Sequence, residues 1–323
     1  MADIMRQSIL EFPKQLVWKP ELENARKLKM QKSIIIAGMG GSALAGGFLK
    51  MLIPKRTIVV HRNYGLPHDA HPHRSCVIVV SYSGNTEETI DAFRTARKKN
   101  IPCAVIATGG KLLKLAQRSR IPFIQLPTAS RVQPRTAMGF ILKALVCLLH
   151  EKTLERDLEK AGRTLQPTRL IPRANIFARK LFHAIPVLYA SETNEPLART
   201  LKIKFNETGK IPAFWNVLPE LNHNEMTGFD WNKKTRPLSQ GFSFIFLEDK
   251  NDAPRIKKRM TVLKRILEEK RFRVFPIPFT SASIRSVFET MLFGDWIAYY
   301  LAKSSGANPN TVPLVEKFKK LIA

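Results

Sequence analysis

What most restricts this chain is a set of short, almost wholly apolar runs in its first half. They are Lys32–Ala37 (KSIIIA), Thr57–His61 (TIVVH), Cys76–Ser81 (CVIVVS), Ile101–Ala107 (IPCAVIA) and Ile121–Leu126 (IPFIQL). Runs of this length, rich in Ile and Val and without alternation, are the pattern of strands buried on both faces of a sheet. Helical stretches separate them at Ser42–Met51, Glu87–Lys99 and Leu112–Arg118. Strands spaced by helices of that length predict a doubly wound parallel sheet, with right-handed crossovers and helices on both faces.

A long helix is expected from Thr136 to about Gly162, followed by a proline-bearing connection, Gln166–Arg173. The pattern then restarts, with strands at Pro186–Ser191, Phe242–Glu248 and Arg273–Ile277. Helices are expected at Leu197–Thr208, Ala253–Lys270, Ile284–Ala302 and Val312–Leu321. The expectation is an α/β protein of two similar domains in tandem, residues 1–165 and 166–323. A chain of 323 residues is long enough to give each its own core.

With 44% hydrophobic and 24% charged residues, the composition is that of a globular protein. Asp3, Arg6, Glu11 and Lys14 interrupt the apolar residues of the N-terminus, unlike a secretory signal. The most apolar run, Phe140–Leu149, contains Lys143 and is too short to span a bilayer. A cytoplasmic protein without membrane contact is expected. Cys76, Cys103 and Cys147 form no CxxC pair and read as buried, reduced thiols. His68, His71 and His73 with Asp69 lie between Pro67 and Pro72 in a predicted loop. No second ligand group accompanies them, so neither a metal nor another cofactor is expected. The net charge is +27, from 53 Lys and Arg against 26 Asp and Glu. The basic residues are dispersed over predicted helix faces, which argues against nucleic acid as a partner, and their field favours a dianionic substrate.

Two motifs stand at strand ends. Gly38-Met39-Gly40-Gly41-Ser42 follows one strand and opens a helix, where a glycine turn lets backbone N–H groups approach an anion. Taken alone, a tight turn would explain it equally well. Ser81-Tyr82-Ser83-Gly84-Asn85-Thr86-Glu87-Glu88-Thr89 stands at another. Asn85 and Glu88 have the spacing of a capping box, which leaves the hydroxyls of Ser81, Ser83 and Thr86 unexplained. Ligands of open α/β sheets bind at such strand ends. Small hydroxyls with a helix N-terminus suit a phosphate dianion, each charge-assisted bond being worth about 1.5–3 kcal/mol. Gly40, Gly41, Ser42, Ser81, Ser83 and Thr86 are therefore the candidate substrate-binding residues.

The strand–SYSGNTEET–helix unit resembles the sugar isomerase (SIS) domain. Thr108-Gly109-Gly110, Gln133-Pro134-Arg135-Thr136-Ala137, Asn206-Glu207 and Glu220-Leu221-Asn222-His223-Asn224-Glu225 follow in order. Together they are similar to the bifunctional phosphoglucose/phosphomannose isomerases, from about Ile34 to the C-terminus. The resemblance implies tandem SIS domains and a homodimer with shared active sites. It further implies metal-independent interconversion of glucose 6-phosphate or mannose 6-phosphate with fructose 6-phosphate through an enediol. Glu207 would be the base and His223, reaching the neighbouring subunit's site, would assist ring opening. Arg135 would stabilise the enediolate, and Lys319, or the adjacent Lys320, would lie near the ring oxygen. The apolar segment Ile211–Pro219 reads as an exposed connector that a partner subunit covers. Ala129-Ser130-Arg131-Val132 precedes the QPR motif where the family more usually has a glycine-bearing turn. A non-catalytic SIS-domain regulator that senses sugar phosphates is the alternative; it would need the phosphate loops but not Glu207, His223 or Lys319.

Overall fold

The computed structural model describes residues 3–128 and 132–322. The chain forms two compact units, Leu10–Thr164 and Met1–Ile9 together with Leu165–Ala323. Helix α1 (Ile4–Val17) contributes residues to both.

In the unit Leu10–Thr164 the order is β1 (Leu22–Glu23), β2 (Ser33–Gly38), α2 (Gly40–Leu52), β3 (Thr57–His61), β4 (Ser75–Ser81) and α3 (Glu87–Lys98). There follow β5 (Cys103–Ala107), α4 (Gly110–Arg118), β6 (Phe123–Gln125), α5 (Met138–Leu148) and α6 (Lys152–Thr164). The sheet runs β1-β6-β5-β4-β2-β3, parallel except for β1. The expected strands are its parallel members, and Val77, Ile78, Val79 and Val80 are wholly buried. Burying a side chain of this kind contributes about 1.5–3 kcal/mol, so the runs that form β2, β4 and β5 hold the centre of the sheet, whereas Thr57–His61, expected to be buried on both faces, is the half-buried edge strand β3. From β2 the chain steps outward to β3, then crosses back to β4 on the other side of β2. The carboxyl ends of β2 and β4 therefore flank a topological switch point, where loops diverge and leave a crevice.

The single long helix expected after Thr136 is two helices. His150 adopts φ 55° between α5 and α6. Lys143 of α5, wholly buried, meets Glu159 of α6 at 3.2 Å and Glu155 at 3.7 Å. In one continuous helix Lys143 and Glu159 would stand about 24 Å apart. The charged second half turns back because a buried ammonium needs those carboxylates.

In the other unit α7 (Ile171–Leu181), β7 (Ile185–Ser191), α8 (Glu195–Glu207), β8 (Phe214–Leu218), α9 (Arg236–Ser239) and β9 (Phe242–Asp249) are followed by α10 (Pro254–Glu269), β10 (Arg273–Phe279), α11 (Ile284–Ser304) and α12 (Pro313–Leu321). The sheet is wholly parallel in the order β10-β9-β7-β8. Two expectations are corrected here. The proline-bearing stretch taken as a connection holds a 3-10 turn, Pro167–Leu170, and the start of α7, with Pro167 and Pro172 in first-turn positions. Proline's missing N–H costs nothing there. The segment taken as an exposed connector contains β8, paired residue for residue with Val187–Ser191. As an edge strand it buries only Leu218 fully and leaves Phe214 exposed, so its pattern lacks a buried strand's continuity.

Helix α11 supplies most of this unit's helical core. Its Trp296 is wholly buried and donates Nε1–H to the Pro167 carbonyl (2.9 Å), while Asp295 pairs with Lys204 of α8 at 2.8 Å in a buried contact. That pair fixes the helix that ends at Glu207. By contrast α12 buries no residue. No helix among the described residues is long and apolar enough to cross a membrane.

Candidate active site

In the unit Leu10–Thr164, three loops converge on the β2/β4 switch point. The loop after β2 turns through Gly40 (φ 48°) into α2, placing Ser42 in its first turn. Ser42 Oγ accepts a hydrogen bond from the Tyr82 N–H (3.2 Å), joining this loop to the one after β4. In that second loop Ser81 Oγ and Thr86 Oγ1 lie 2.9 Å apart, and Ser81 Oγ accepts from the Gly84 N–H (3.1 Å). Ser83 is exposed, Thr86 half-buried and Ser81 buried, so the hydroxyls are graded from the surface inward.

The loop after β5 braces this arrangement. Thr108 donates Oγ1–H to the Tyr82 carbonyl (2.6 Å) and the Leu112 N–H to that of Gly84 (2.8 Å). Gly84 has φ 69°, and a Cβ there would lie 1.8 Å from the Gly109 carbonyl oxygen. No other residue fits. Asn85 corrects the capping-box expectation: the N-cap of α3 is Thr86, and Asn85 Oδ1 instead accepts from the Lys111 N–H at the start of α4 (2.9 Å).

Arg135 enters from a 3-10 turn, Pro134–Thr136, that rests on the start of α2. A Cβ on Gly41 would stand 2.6 Å from the Pro134 carbonyl and 3.1 Å from Arg135 Cα, so glycine is what permits the approach. Gln15 of α1 fixes the turn from behind, donating to the Thr136 carbonyl (2.8 Å) and accepting from the Gly139 N–H (3.0 Å). Arg135 itself is only 6% exposed. Gly40, Gly41, Ser42, Ser81, Ser83, Thr86 and Arg135 thus belong to one loop cluster. Ala129, Ser130 and Arg131 lie outside the described residues.

In the other unit Glu207 is the half-buried last residue of α8. His223 ends a 3-10 turn, Glu220–His223, and is exposed. Its neighbours account for the rest of the motif. Glu225 accepts from the Tyr189 hydroxyl (2.7 Å) and from Asn216 Nδ2 (2.5 Å), two residues directly paired across β7 and β8. Asn224 donates to Glu220 (2.8 Å), and Arg259 donates to Asn222 Oδ1 (3.3 Å). The motif is a scaffold that presents one imidazole outward. Burial and the Glu225 carboxylate push the Tyr189 hydroxyl well above the usual phenol range, so it remains a donor. Lys319 and Lys320 are exposed on α12. Among the described residues no hydrogen bond or ion pair joins Glu207, His223 and Lys319 to one another.

Of the brace residues, Thr108 stands in the Thr108-Gly109-Gly110 motif that carries the family resemblance, whereas Gln15, Tyr189 and Asn216 have no sequence signal of their own. All act through contacts between segments distant in the chain. Of the three cysteines, Cys147 is half-buried where full burial was expected, and burial pushes the Cys76 and Cys103 thiols up to about 12 and about 11. The rings of His71 and His73 are 5.6 Å apart. Among the described residues no three His, Cys, Asp or Glu gather as a metal-holding group.

Residues 27–146 match the SIS domain, and residues 172–322 match the bacterial phospho-glucose isomerase C-terminal SIS domain. The bifunctional phosphoglucose/phosphomannose isomerase of Thermoplasma volcanium is 32% identical over 97% of this chain and 100% of its own. The chain belongs to the bifunctional phosphoglucose/phosphomannose isomerase family. A D-glucosamine-6-phosphate 4-epimerase of Sulfolobus acidocaldarius is also 32% identical, over 65% of this chain and 69% of its own. Among solved structures, tagatose-6-phosphate ketose/aldose isomerase from Escherichia coli has the same fold, with a TM-score of 0.69 at 14% identity, covering 97% of each chain. In this family's terms, the loop cluster at β2/β4 belongs to the SIS match, and Glu207, His223 and Lys319 fall within the C-terminal match.

Proposed function

We propose that this chain is a metal-independent aldose–ketose isomerase, interconverting glucose 6-phosphate or mannose 6-phosphate with fructose 6-phosphate. The observation that carries the reading is the loop cluster at the β2/β4 switch point, where the hydroxyls of Ser42, Ser81, Ser83 and Thr86 gather at two helix N-termini beside Arg135. A phosphate dianion suits those donors.

With the phosphate held, isomerisation requires ring opening and then transfer of a proton between C1 and C2. His223 of the partner subunit exchanges the proton of the ring oxygen, and Lys319 faces that oxygen as a fixed positive charge. Glu207 takes the C2 proton from an aldose and, as the O2 proton passes to O1, returns it to C1 of the enediolate, leaving the C2 carbonyl and C1 hydroxyl of the ketose. Arg135 stabilises the negative charge that develops on the enediolate oxygens. The exposure of His223 on its rigid turn supports a role in a neighbouring site, and hence a homodimer with shared sites. The +27 charge serves to attract substrate, with no nucleic-acid partner invoked. Three unpaired cysteines agree with a cytoplasmic setting.

The test is turnover by the purified protein with each hexose 6-phosphate, detecting fructose 6-phosphate, before and after exhaustive chelation. Conversion of glucose or mannose 6-phosphate that survives chelation is expected. Sugar-phosphate binding without turnover would establish the regulator instead. Epimerisation of glucosamine 6-phosphate at C4, with no ketose formed, would establish the epimerase chemistry of the Sulfolobus relative.

A further inference from the structure

Lys210 sits where a lysine is not the natural choice. It follows the end of α8 with φ 58°, the left-handed position that usually takes glycine or asparagine. A side chain with a Cβ costs about 1–2 kcal/mol in that region. The turn is also closed without its side chain: the Thr208 and Gly209 N–H groups reach the Lys204 carbonyl at 2.9 and 3.0 Å, and Asn206 Nδ2 donates to the Ile211 carbonyl at 3.0 Å. The Lys210 ammonium therefore answers a different need. Its Nζ donates to the Glu207 carbonyl at 2.6 Å and to the carbonyl of Thr311, 101 residues away in the chain.

Thr311 lies two residues before α12, the helix that bears Lys319. The segment leading into α12 has a second anchor, the Met5 N–H donating to Asn310 Oδ1 at 2.8 Å. The helix itself buries nothing, so its direction depends on how its root is held. One ammonium thus ties the end of the helix carrying the proposed base to the root of the helix carrying the proposed lysine.

We infer that Lys210 is a positioning residue for the isomerisation, a clamp that sets Glu207 and the Lys319 helix in a fixed relation. The inference rests on the roles proposed for Glu207 and Lys319. A flexible four-carbon stem ending in three donors suits two carbonyls from separate segments. Glycine would relieve the backbone but release both. The clamp acts on geometry and leaves the phosphate cradle untouched, so it affects the chemical step more than substrate affinity.

The experiment compares Lys210→Gly, Lys210→Arg and Glu207→Gln in the full-length protein, measuring kcat, KM and thermal unfolding. Lys210→Gly is expected to hold or raise Tm, because it suits the left-handed backbone. It should lower kcat about ten- to a hundredfold, the scale of a misplacement of about 1 Å, with KM within about threefold. Lys210→Arg, which keeps a charged donor of several hydrogens, should recover most of that loss. Combining Lys210→Gly with Lys319→Met should cost no more than about threefold beyond the worse single variant, since both disable one device. Wild-type kcat in Lys210→Gly, with Glu207→Gln inactive, would overturn the clamp and leave the isomerase reading standing. Full multiplication of the Lys210 and Lys319 losses would likewise overturn it. Turnover retained by Glu207→Gln would remove the reading itself, and the clamp with it.

Discussion

Glu207 and Gly41 carry opposite kinds of necessity. In the proposed reaction the requirement at Glu207 is chemical: it would be the carboxylate that gains and loses a proton. Glu207→Gln keeps size and polarity but removes that capacity, so turnover should fall by roughly 10²–10⁴-fold while sugar-phosphate binding persists. Exchange of the C2 proton with solvent deuterium is the check, and exchange at the wild-type rate would show that another group moves the proton. At Gly41 the requirement is space. A methyl group there would meet the Pro134 carbonyl at 2.6 Å, and the obstructing atom is backbone, which cannot swing aside as a side-chain tip can. Gly41→Ala should therefore displace the turn that bears Arg135 and lower kcat/KM by about 10²-fold. Steady-state kinetics beside an unfolding curve separates this from a general loss of fold, and unchanged kcat/KM would mean that Arg135 does not depend on the contact.

Element geometry distinguishes the two C-terminal lysines. On α12 and its C-cap residue Ile322, the apolar residues Leu314, Val315, Phe318, Leu321 and Ile322 are exposed, and at about 100° per residue they form one stripe. Lys320 lies about 160° from the middle of that stripe, on the opposite face, whereas Lys319 lies about 100° away, along its edge. If the apolar stripe turns toward protein in the working enzyme, Lys319 can reach a bound substrate and Lys320 faces water. Lys319→Met should reduce kcat by at least about tenfold and Lys320→Met by less than about twofold. The reverse order in matched assays would reassign the role to Lys320. Strand β8 is the other element whose function is mechanical: it aligns Asn216 beside Tyr189, and the pair holds both oxygens of Glu225, two residues from His223.

For the whole molecule, the question is how many chains complete a site. If His223 serves the neighbouring subunit, Glu207→Gln and His223→Ala should each be nearly inactive as homodimers. Mixed and reassociated, about half the dimers contain one of each, and one of their two sites holds both wild-type residues. Roughly a quarter of all sites should then recover activity. Mass spectrometry of the mixture verifies that mixed dimers form. Their presence without recovery would place both residues in one subunit's own site.

The inner strands of the parallel sheets and the loop motifs at the β2/β4 switch point could be read from the sequence, because both are written locally. A strand buried on two faces must be apolar along its whole length, and a turn that approaches an anion must spare room with glycine. Those requirements fall on consecutive residues, so KSIIIAGMGGS and SYSGNT are legible without any partner segment. Folding adds what consecutive residues cannot express. Edge strand β8 satisfies only one side of its backbone through the sheet and carries prolines at its flanks, so its pattern resembles a loop. The break at His150 follows from a buried Lys143 that demands carboxylates 12 and 16 residues on. Gln15 behind the Arg135 turn, Tyr189 and Asn216 under Glu225, and Lys210 between Glu207 and Thr311 serve partners chosen by the fold. A hydrogen bond depends on distance in space, and distance in space is what the chain acquires only by folding.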